Sequence, residues 1–227
     1  MNIEEILKKY IHITLKSNDI HFITIRGSPG IGKSYIVAET LKELSLEEDV
    51  HYKILSGYVT PKKLFEILKR TKMLEKPKLI VMDDLDSIFN NKTSTSILKG
   101  ALINFNNKRI VSYQSTRGEQ EEQSFDFDGK LILIVNNIPR SINIEPLLDR
   151  GIYFSFDSDT ETLVNYIEQN VLPKFDLGSN EIREIWEKVK RFTNSPNFSI
   201  RSLNRAVSFY KHDKDNWYKL FTKSLKR

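Results

Sequence analysis

A short glycine-rich segment constrains this chain of 227 residues more than any other feature. The segment, Gly27-Ser28-Pro29-Gly30-Ile31-Gly32-Lys33-Ser34, fits the pattern G-x-x-x-x-G-K-[S/T] at every fixed position. A short apolar run, Ile20 to Ile25, precedes it, and a helical pattern from Lys33 to Leu44 follows it. Glycines in such a turn let backbone N–H groups point at phosphate oxygens, and the helix N-terminus adds a favourable partial charge. The segment therefore predicts a binding site for a nucleoside triphosphate, with ATP as the first choice.

The side chains of this segment have separate expected roles. Lys33 is expected to reach the β- and γ-phosphates, and the hydroxyl of Ser34 is expected to ligate Mg²⁺. A glycine loop that arose by chance is the alternative explanation, and the flanking strand and helix patterns argue against it. The residues predicted to bind the nucleotide are Gly27, Ser28, Pro29, Gly30, Ile31, Gly32, Lys33, Ser34 and the adjoining Tyr35.

Two carboxylates follow a second apolar run, Leu79 to Met82. Ligands of parallel sheets bind at the carboxyl ends of the strands. Asp83 is therefore placed to hold the Mg²⁺ shell, directly or through water, and Asp84 to polarise an attacking water. Asp86 is interpreted as a cap or a supporting group. A strand that merely runs into an acidic turn is common, so this prediction depends on the phosphate loop upstream.

The order of the patterns predicts the architecture. Strands that are apolar on both faces alternate with helices, which is typical of an α/β core with a mostly parallel sheet sandwiched by helices. We expect this core over residues 1–157, with an amphipathic helix at 3–16 and a small C-terminal helical domain over 158–227. Within the core, a helix over 93–105 is expected to be capped near Thr93 to Thr95, and segments 109–114 and 123–127 form a candidate hairpin.

Composition narrows the functional classes. The chain carries a net charge of +5, and its pI is near 9.1, a balance that favours polyanions, although the lysines are spread along the whole chain. Cysteine is absent, so no disulfide framework or thiolate metal site is expected. The N-terminus lacks the pattern of a signal peptide, and the apolar runs are far shorter than the ~20 residues of a membrane span. We expect a cytoplasmic protein, or one of a host cytoplasm, without a membrane partner.

A third apolar run completes a family resemblance. Leu131 to Val135 is followed by Asn136, and this run, the phosphate loop and Asp83-Asp84 together resemble the AAA+ ATPases. In that family an Asn at this position, called sensor 1, helps to position the water that attacks the γ-phosphate, and the resemblance implies this role for Asn136. Residues 136–139 are also similar to the N-x-x-P motif of superfamily-three viral helicases. An Asn that only caps a strand end is the alternative.

The resemblance also implies roles for two arginines. Residues 146–150 are similar to the segment with the arginine finger, so Arg150 is expected to reach a nucleotide bound by a neighbouring subunit, with Arg140 as the second choice. Residues 199–203 are similar to the start of the lid helix with sensor 2, so Arg201 is expected to reach the same nucleotide, although Arg205 lies one turn away. The family therefore implies ATP and Mg²⁺ between core and lid, and a homo-oligomer, either ring or filament.

One departure from the family pattern concerns the second acid, which is usually Glu. Here it is Asp84, whose side chain is one methylene shorter, so hydrolysis is expected to be slow or switch-like. The candidate hairpin resembles the hairpin that precedes sensor 1 in phage and viral AAA+ ATPases and in superfamily-three helicases. In those helicases the hairpin points into the pore of the ring and tracks the DNA backbone. Lys108, Arg109, Arg117 and Lys130 are candidates for phosphate contacts, whereas the acidic tip, residues 118–122, favours a protein partner.

The sequence thus predicts an ATPase that remodels or moves a client, with DNA favoured, in the replication of a virus, phage or mobile element. Helicase and helicase-loader activities are both compatible with it. An ATP-switched DNA-binding or recruitment module with little hydrolysis is the alternative, and Asp84 supports it. A small-molecule kinase is a third reading, and the pairing of Asn136 with Arg150 argues against it.

Overall fold

The structure, a computed structural model, describes residues 2–114, 123–136, 150–156, 159–195 and 197–225, without the side chains of Asp86 and Ser87. The chain divides into two compact units. The sheet unit comprises Glu5–Gly27 and Lys33–Ser155, and the helical unit comprises Met1–Glu4, Ser28–Gly32 and Phe156–Arg227. Five residues of the glycine-rich segment therefore group with the C-terminal helices.

A parallel sheet forms the centre of the sheet unit, as predicted. Its described strands have the order β2-β3-β6-β1-β7, and every neighbouring pair is parallel. Both faces are covered, so β1, β3 and β6 are buried almost throughout. The strands of the chain are β1 (Phe22–Arg26), β2 (Tyr52–Ser56), β3 (Leu79–Asp83), β4 (Ile110–Tyr113), β5 (Gln123–Asp126), β6 (Lys130–Val135) and β7 (Ile152–Ser155).

Helices before β4 cover this sheet. They are α1 (Ile3–Lys16), α2 (Lys33–Glu43), α3 (Pro61–Arg70) and α4 (Lys92–Leu102), with short 3₁₀ turns at Thr71–Met73 and Asp86–Asn90. The Oγ1 atom of Thr60 caps α3 by accepting from the N–H of Lys63. The expected cap of α4 near Thr93 to Thr95 was wrong, because the Oδ1 atom of Asn91 accepts from the N–H of Ser94 at 3.0 Å. Asn is among the strongest N-cap residues, so the helix begins earlier.

The predicted hairpin is confirmed. Strands β4 and β5 are antiparallel, with Ile110 opposite Asp126 and Tyr113 opposite Gln123. Helix α4 approaches it closely, since a Cβ placed on Gly100 would lie 2.4 Å from the carbonyl oxygen of Ile110. Arg117 and the acidic tip lie outside the described residues, so their expected contacts stay predictions.

Arg109 is a structural residue rather than a phosphate contact. Its side chain is buried, and the guanidinium donates to the carbonyl oxygens of Ala101 at 3.2 Å and Gly129 at 2.8 Å. It also lies 5.1 Å from the ring centroid of Phe127. Burial lowers the pKa of Arg109 to about 10. The hypothesis that Arg109 binds nucleic-acid phosphates is therefore wrong, because its donors are used inside the fold.

Lys130 is used in a similar way. Its ammonium donates to the carbonyl oxygens of Ser17 and Ile20, which fixes the segment between α1 and β1 to the start of β6. Burial and the nearby Arg109 lower the pKa of Lys130. Burial, Arg109 and Lys130 together lower the pKa of His21 to about 4. The phosphate contact expected of Lys130 is wrong for the same reason, and of the described candidates only Lys108 is exposed.

The helical unit has its own core. Helix α5 (Thr160–Tyr166) continues through a π-helical segment, Ile167–Val171, into a 3₁₀ turn, Leu172–Lys174. It is followed by α6 (Ser179–Val189), the 3₁₀ turn Lys190–Phe192, α7 (Ile200–His212) and α8 (Trp217–Leu225). Among the described residues, no helix combines the length and apolar character that a membrane span needs. The buried residues of α6, α7 and α8 include Ile185, Trp186, Val189, Leu203, Val207, Trp217 and Phe221.

We predict that Arg109→Ala destabilises the protein by about 3 kcal/mol, because two buried carbonyl oxygens lose charged donors and Phe127 loses its cation. The exposed neighbour provides a matched control, and Lys108→Ala should change stability by less than about 0.5 kcal/mol. Urea denaturation of both variants measures the difference. Equal stabilities would contradict the structural role of Arg109.

Candidate functional site

Three neighbouring strands end at one edge of the sheet. The order β3-β6-β1 places their carboxyl ends side by side, with Arg26 opposite Val135 and Asp83 opposite Ile134. The chain continues from these ends into the glycine-rich segment, into Asp84 and into Asn136. The parallel sheet therefore brings together polar residues that lie far apart in sequence.

Lys33 lies at the centre of this set, at the first position of α2. Its side chain is only 5% exposed. The ammonium donates to the carbonyl oxygen of Gly27 at 2.6 Å and to the Oδ1 atom of Asn136 at 2.9 Å. A buried ammonium needs such oxygen partners. Lys33 is thus held between the start of the glycine-rich segment and the end of β6.

Ser34 and Asp83 form a second pair. The hydroxyl of Ser34 donates to the Oδ1 atom of Asp83 at 2.9 Å. A hydroxyl and a carboxylate at this distance form an all-oxygen donor set, which suits Mg²⁺, an ion that takes few protein ligands and fills its shell with phosphates and water. The pair therefore fits the metal that the sequence predicts for Ser34 and Asp83.

Asn136 connects Lys33 with the second acid. Its Nδ2 atom donates to the Oδ1 atom of Asp84 at 2.7 Å, while its Oδ1 atom accepts from Lys33. Only one orientation of the amide satisfies both contacts, since an ammonium cannot accept and a carboxylate cannot donate. Asp84 has a φ of +54°, in the left-handed region that Asp tolerates better than most residues. The result is a continuous chain of hydrogen bonds from Lys33 through Asn136 to Asp84.

The middle of the glycine-rich segment belongs to the helical unit. Gly30 and Gly32 have φ values of +76° and +98°, which only glycine adopts readily. The carbonyl oxygen of Gly30 accepts from the N–H of Ile200 at 2.9 Å, and a Cβ on Gly30 would lie 2.9 Å from the Cβ of Ser199. A Cβ on Gly32 would lie 3.2 Å from the hydroxyl of Tyr166. These glycines are required both for the turn and for its close contact with α5 and α7.

The arginines expected at the site occupy different places. Arg201 lies beside the segment, since a Cβ on Gly30 would be 3.6 Å from its Cδ atom. Arg205, one turn further along α7, is half-buried and donates to the hydroxyl of Ser202. Arg150 is exposed just before β7 in the sheet unit. Arg140 and residues 146–149 lie outside the described residues.

Tyr166 was not expected at the site from the sequence, whereas residues 199–203 were expected to begin a helix near the nucleotide. Tyr166 and Ile200 approach Gly32, and Ser199 approaches Gly30. Ser199 is the N-cap of α7, because its Oγ accepts from the N–H of Ser202. Tyr35, predicted to bind nucleotide, is 47% exposed on α2.

A comparison with known protein families identifies the family of this chain. The family described as "ATPase family associated with various cellular activities (AAA)" matches residues 23–145, which is more than half of the chain. The chain belongs to this family of nucleotide-binding ATPases.

One relative of the chain is a phage protein. The chain is 24% identical over 228 residues to a protein of Enterobacteria phage T4, described as an uncharacterized 36.7 kDa protein in the nrdC-mobD intergenic region. The match covers 91% of this chain and 68% of the phage protein. The chain is thus similar to a phage protein over most of its length.

Two solved structures of RuvB from Thermotoga maritima have the same fold. One, of a single-residue variant, has a TM-score of 0.56 and 15% identity, and covers 98% of this chain and 68% of RuvB. The other, described as the Holliday junction branch migration motor, has a TM-score of 0.55 and 16% identity, and covers 99% and 70%. At these identities the likeness shows the fold alone.

We predict that Lys33→Ala lowers the affinity for ATP by roughly 100-fold, because a cation aimed at the phosphates is lost. Lys42→Ala, an exposed lysine of the same helix, is the control and should bind as the wild type does. Equilibrium dialysis with labelled ATP measures both variants. If Lys33→Ala binds ATP as tightly as the wild type, the phosphate loop is not the binding site for ATP.

Proposed function

We propose that this protein hydrolyses ATP with Mg²⁺ to move or remodel a client. The observation that carries the proposal is the hydrogen-bonded chain from Lys33 through Asn136 to Asp84, beside the pair of Ser34 and Asp83. A phosphate-binding lysine, a metal-binding pair and a carboxylate base are the groups that hydrolysis of a phosphoanhydride requires. The residues proposed for these roles lie on or near the ends of β1, β3 and β6, which supports the proposal.

The reaction assigns a task to each group. Water attacks the γ-phosphorus, the bond to the bridging oxygen breaks, and ADP leaves with that electron pair. Asp84 takes a proton of the attacking water, and Asn136 orients the water. Lys33 and the backbone N–H groups of residues 27–34 bind the phosphates. Ser34 and Asp83 would hold Mg²⁺, which when bound supplies positive charge against the phosphate oxygens.

The two arginines act from different molecules in this proposal. Arg201 reaches the nucleotide of its own chain, and its place beside Gly30 supports this role. Arg150 reaches the γ-phosphate held by a neighbouring copy, where it stabilises charge in the transition state. Its exposure and its position before β7 support the role. Catalysis then requires a homo-oligomer, either a ring or a filament.

The client is proposed to be nucleic acid, with DNA favoured and a protein as the other choice. The pI near 9.1, the phage relative and the fold shared with a branch migration motor support DNA. We propose on the same grounds a role in DNA replication of a virus, phage or mobile element, as a helicase or helicase loader. The protein would act in the cytoplasm of its cell or host.

A second candidate is an ATP-switched DNA-binding or recruitment module with little hydrolysis. It is favoured by the hydrogen bond from Asn136 to Asp84, which occupies one oxygen of the proposed base. The shorter side chain of Asp84 favours it as well. In this second candidate, bound ATP determines whether the protein assembles on DNA or recruits its partner, and hydrolysis serves only to release them.

Release of phosphate from ATP and Mg²⁺ tests the proposal, measured without DNA, with single-stranded DNA and with double-stranded DNA. We predict that DNA raises turnover by roughly tenfold or more. A client that binds the oligomer increases its population, and in the oligomer Arg150 of one copy completes the site of the next. Turnover that is indifferent to DNA would argue for a protein client. Tight ATP binding without turnover under any condition would favour the switch module.

We predict that Arg150→Ala binds ATP normally but loses turnover by roughly 1,000-fold. An equal mixture with Asp84→Asn should regain activity, because Arg150 of one variant completes a site that contains Asp84 of the other. Arg70→Ala, an exposed arginine on α3, is the control for loss of charge. If the mixture is no more active than the two variants measured separately, Arg150 does not act in trans.

A further inference from the structure

The excess positive charge of this chain is concentrated on one exposed segment of the sheet unit. Residues 61–72, which comprise α3 and the start of the 3₁₀ turn after it, contain five basic residues and one acid, Glu66, and so carry a net charge of +4. The net charge of the whole chain is +5, so the rest of it is nearly neutral. The five basic side chains of the segment are all exposed, and they are Lys62, Lys63, Lys69, Arg70 and Lys72.

Helix α3 separates this charge from its apolar side chains. The side chains that it buries in the core of the sheet unit are Leu64, Phe65 and Leu68. Because successive residues of a helix are rotated by about 100°, Lys62, Lys63 and Lys69 lie on the opposite side. Lys62 and Lys69 are seven residues apart, so they form a row with a spacing of about 10 Å along the helix axis. We call Lys62, Lys63 and Lys69 the lysine face.

The lysine face lacks the acidic partners that hold lysines elsewhere in this protein. Lys8 and Lys214, for example, each lie 2.6 Å from a glutamate carboxylate. Within the described residues, no ion pair involves the lysine face or Glu66. Lys69 donates to the Oε1 atom of Gln123 at 3.5 Å, which is an uncharged partner. The three ammonium groups are therefore available to an anion from another molecule.

The hairpin of β4 and β5 lies directly beside this helix. The ring of Phe65 has its centroid 5.2 Å from that of Phe125 and 5.6 Å from that of Tyr113. The contact of Lys69 with Gln123 extends the lysine face to the start of β5, where Gln123 is exposed. Neither β4 nor β5 contains a basic residue in its described range. Helix α3 thus supplies, beside the hairpin, the exposed cations that these strands lack.

The make-up of this surface decides which anion it suits. Protein–protein interfaces are depleted in lysine and have an apolar centre, whereas nucleic-acid interfaces are strongly positive. Of the exposed large apolar side chains of the described chain, only Met73 falls within residues 61–73. Each strand of duplex DNA carries one phosphate per about 3.4 Å of helix axis, so the ~10 Å from Lys62 to Lys69 spans about three phosphates. The lysine face therefore matches a row of phosphates.

We propose that the lysine face binds the phosphate backbone of DNA, a proposal that rests on the nucleic-acid client of the proposed function. Lys62, Lys63 and Lys69 contact phosphates of one strand, and the amide nitrogen of Gln123, whose oxygen accepts from Lys69, donates to the same backbone. Glu66 lies within one turn of each lysine, so its carboxylate repels the phosphates and limits the affinity. Contacts to phosphates carry no base sequence, so this binding is independent of sequence.

Paired substitutions test the contact. Lys62→Gln with Lys69→Gln neutralises the row on α3, and the control, Lys9→Gln with Lys16→Gln, neutralises two exposed lysines with the same spacing on α1. Fluorescence anisotropy of labelled single-stranded and duplex DNA measures the affinity over a range of salt concentrations. We expect the α3 pair to weaken binding roughly tenfold at low salt. The slope of log K against log salt should flatten by about 1.4 for single strands and about 1.8 for duplex, because two phosphate contacts are lost. The control pair should bind as the wild type does.

A substitution with the opposite effect separates binding from damage to the fold. Glu66→Gln removes the repelling carboxylate and should tighten DNA binding roughly threefold at low salt. Glu39→Gln changes a half-exposed acid on α2 and should leave the affinity unchanged. A destabilised protein binds less DNA, so tighter binding by Glu66→Gln reports on the charge of this surface alone.

Three outcomes would overturn the inference. These are a wild-type protein that does not bind DNA, an α3 pair that binds as tightly as the wild type or no more weakly than the control pair, and a Glu66→Gln variant without gain. The first outcome would assign the surface to an acidic protein client instead. Release of phosphate from ATP in the absence of DNA separates this inference from the proposed function. The α3 pair should retain that turnover, and a wild-type protein that lacks it would contradict the proposed reaction and not the DNA contact.

Discussion

The buried ammonium of Lys33 is the interaction on which the rest of the site depends. It joins the carbonyl oxygen of Gly27, at the end of β1, to the amide of Asn136, at the end of β6. A charge that is only 5% exposed needs acceptors at fixed distances, and the parallel register of β1 and β6 provides them. The register of β1 and β6 therefore determines the geometry of the site, because a shift in it would separate Lys33 from its partners.

The same amide limits the second acid. Asn136 has one oxygen and one nitrogen, and the first is used by Lys33 while the second is used by Asp84. A group that accepts a hydrogen bond from the ammonium of Lys33 changes the electrostatic environment of Asn136. It therefore also changes the strength of the hydrogen bond from Asn136 to Asp84. Occupation of the phosphate loop and release of the carboxylate are therefore linked through a single side chain.

Sequence reasoning was most successful where a chemical motif coincides with a strand end. The phosphate loop, Asp83 and Asn136 follow apolar runs, and parallel strands bring such ends together, so their neighbourhood could be predicted. The environments of Arg109 and Lys130 could not be predicted, because a sequence gives the charge of a side chain and not the carbonyl oxygens that surround it. The family resemblance placed residues 199–203 near the nucleotide, but the direct contact of Gly30 with Ser199 could not be predicted, since no periodic pattern connects segments 169 positions apart.

The positive charges of this protein consequently fall into different physical classes, and net charge alone does not distinguish them. Arg109 and Lys130 donate to backbone carbonyl oxygens inside the fold, so these N–H groups are not available to contact DNA phosphates. Arg205 lies in a concave site beside aromatic and aliphatic side chains. A nucleic-acid backbone is an extended row of phosphates, which exposed and flexible cations suit better than a partly buried guanidinium. Any contact with DNA therefore depends on exposed cations such as Lys108.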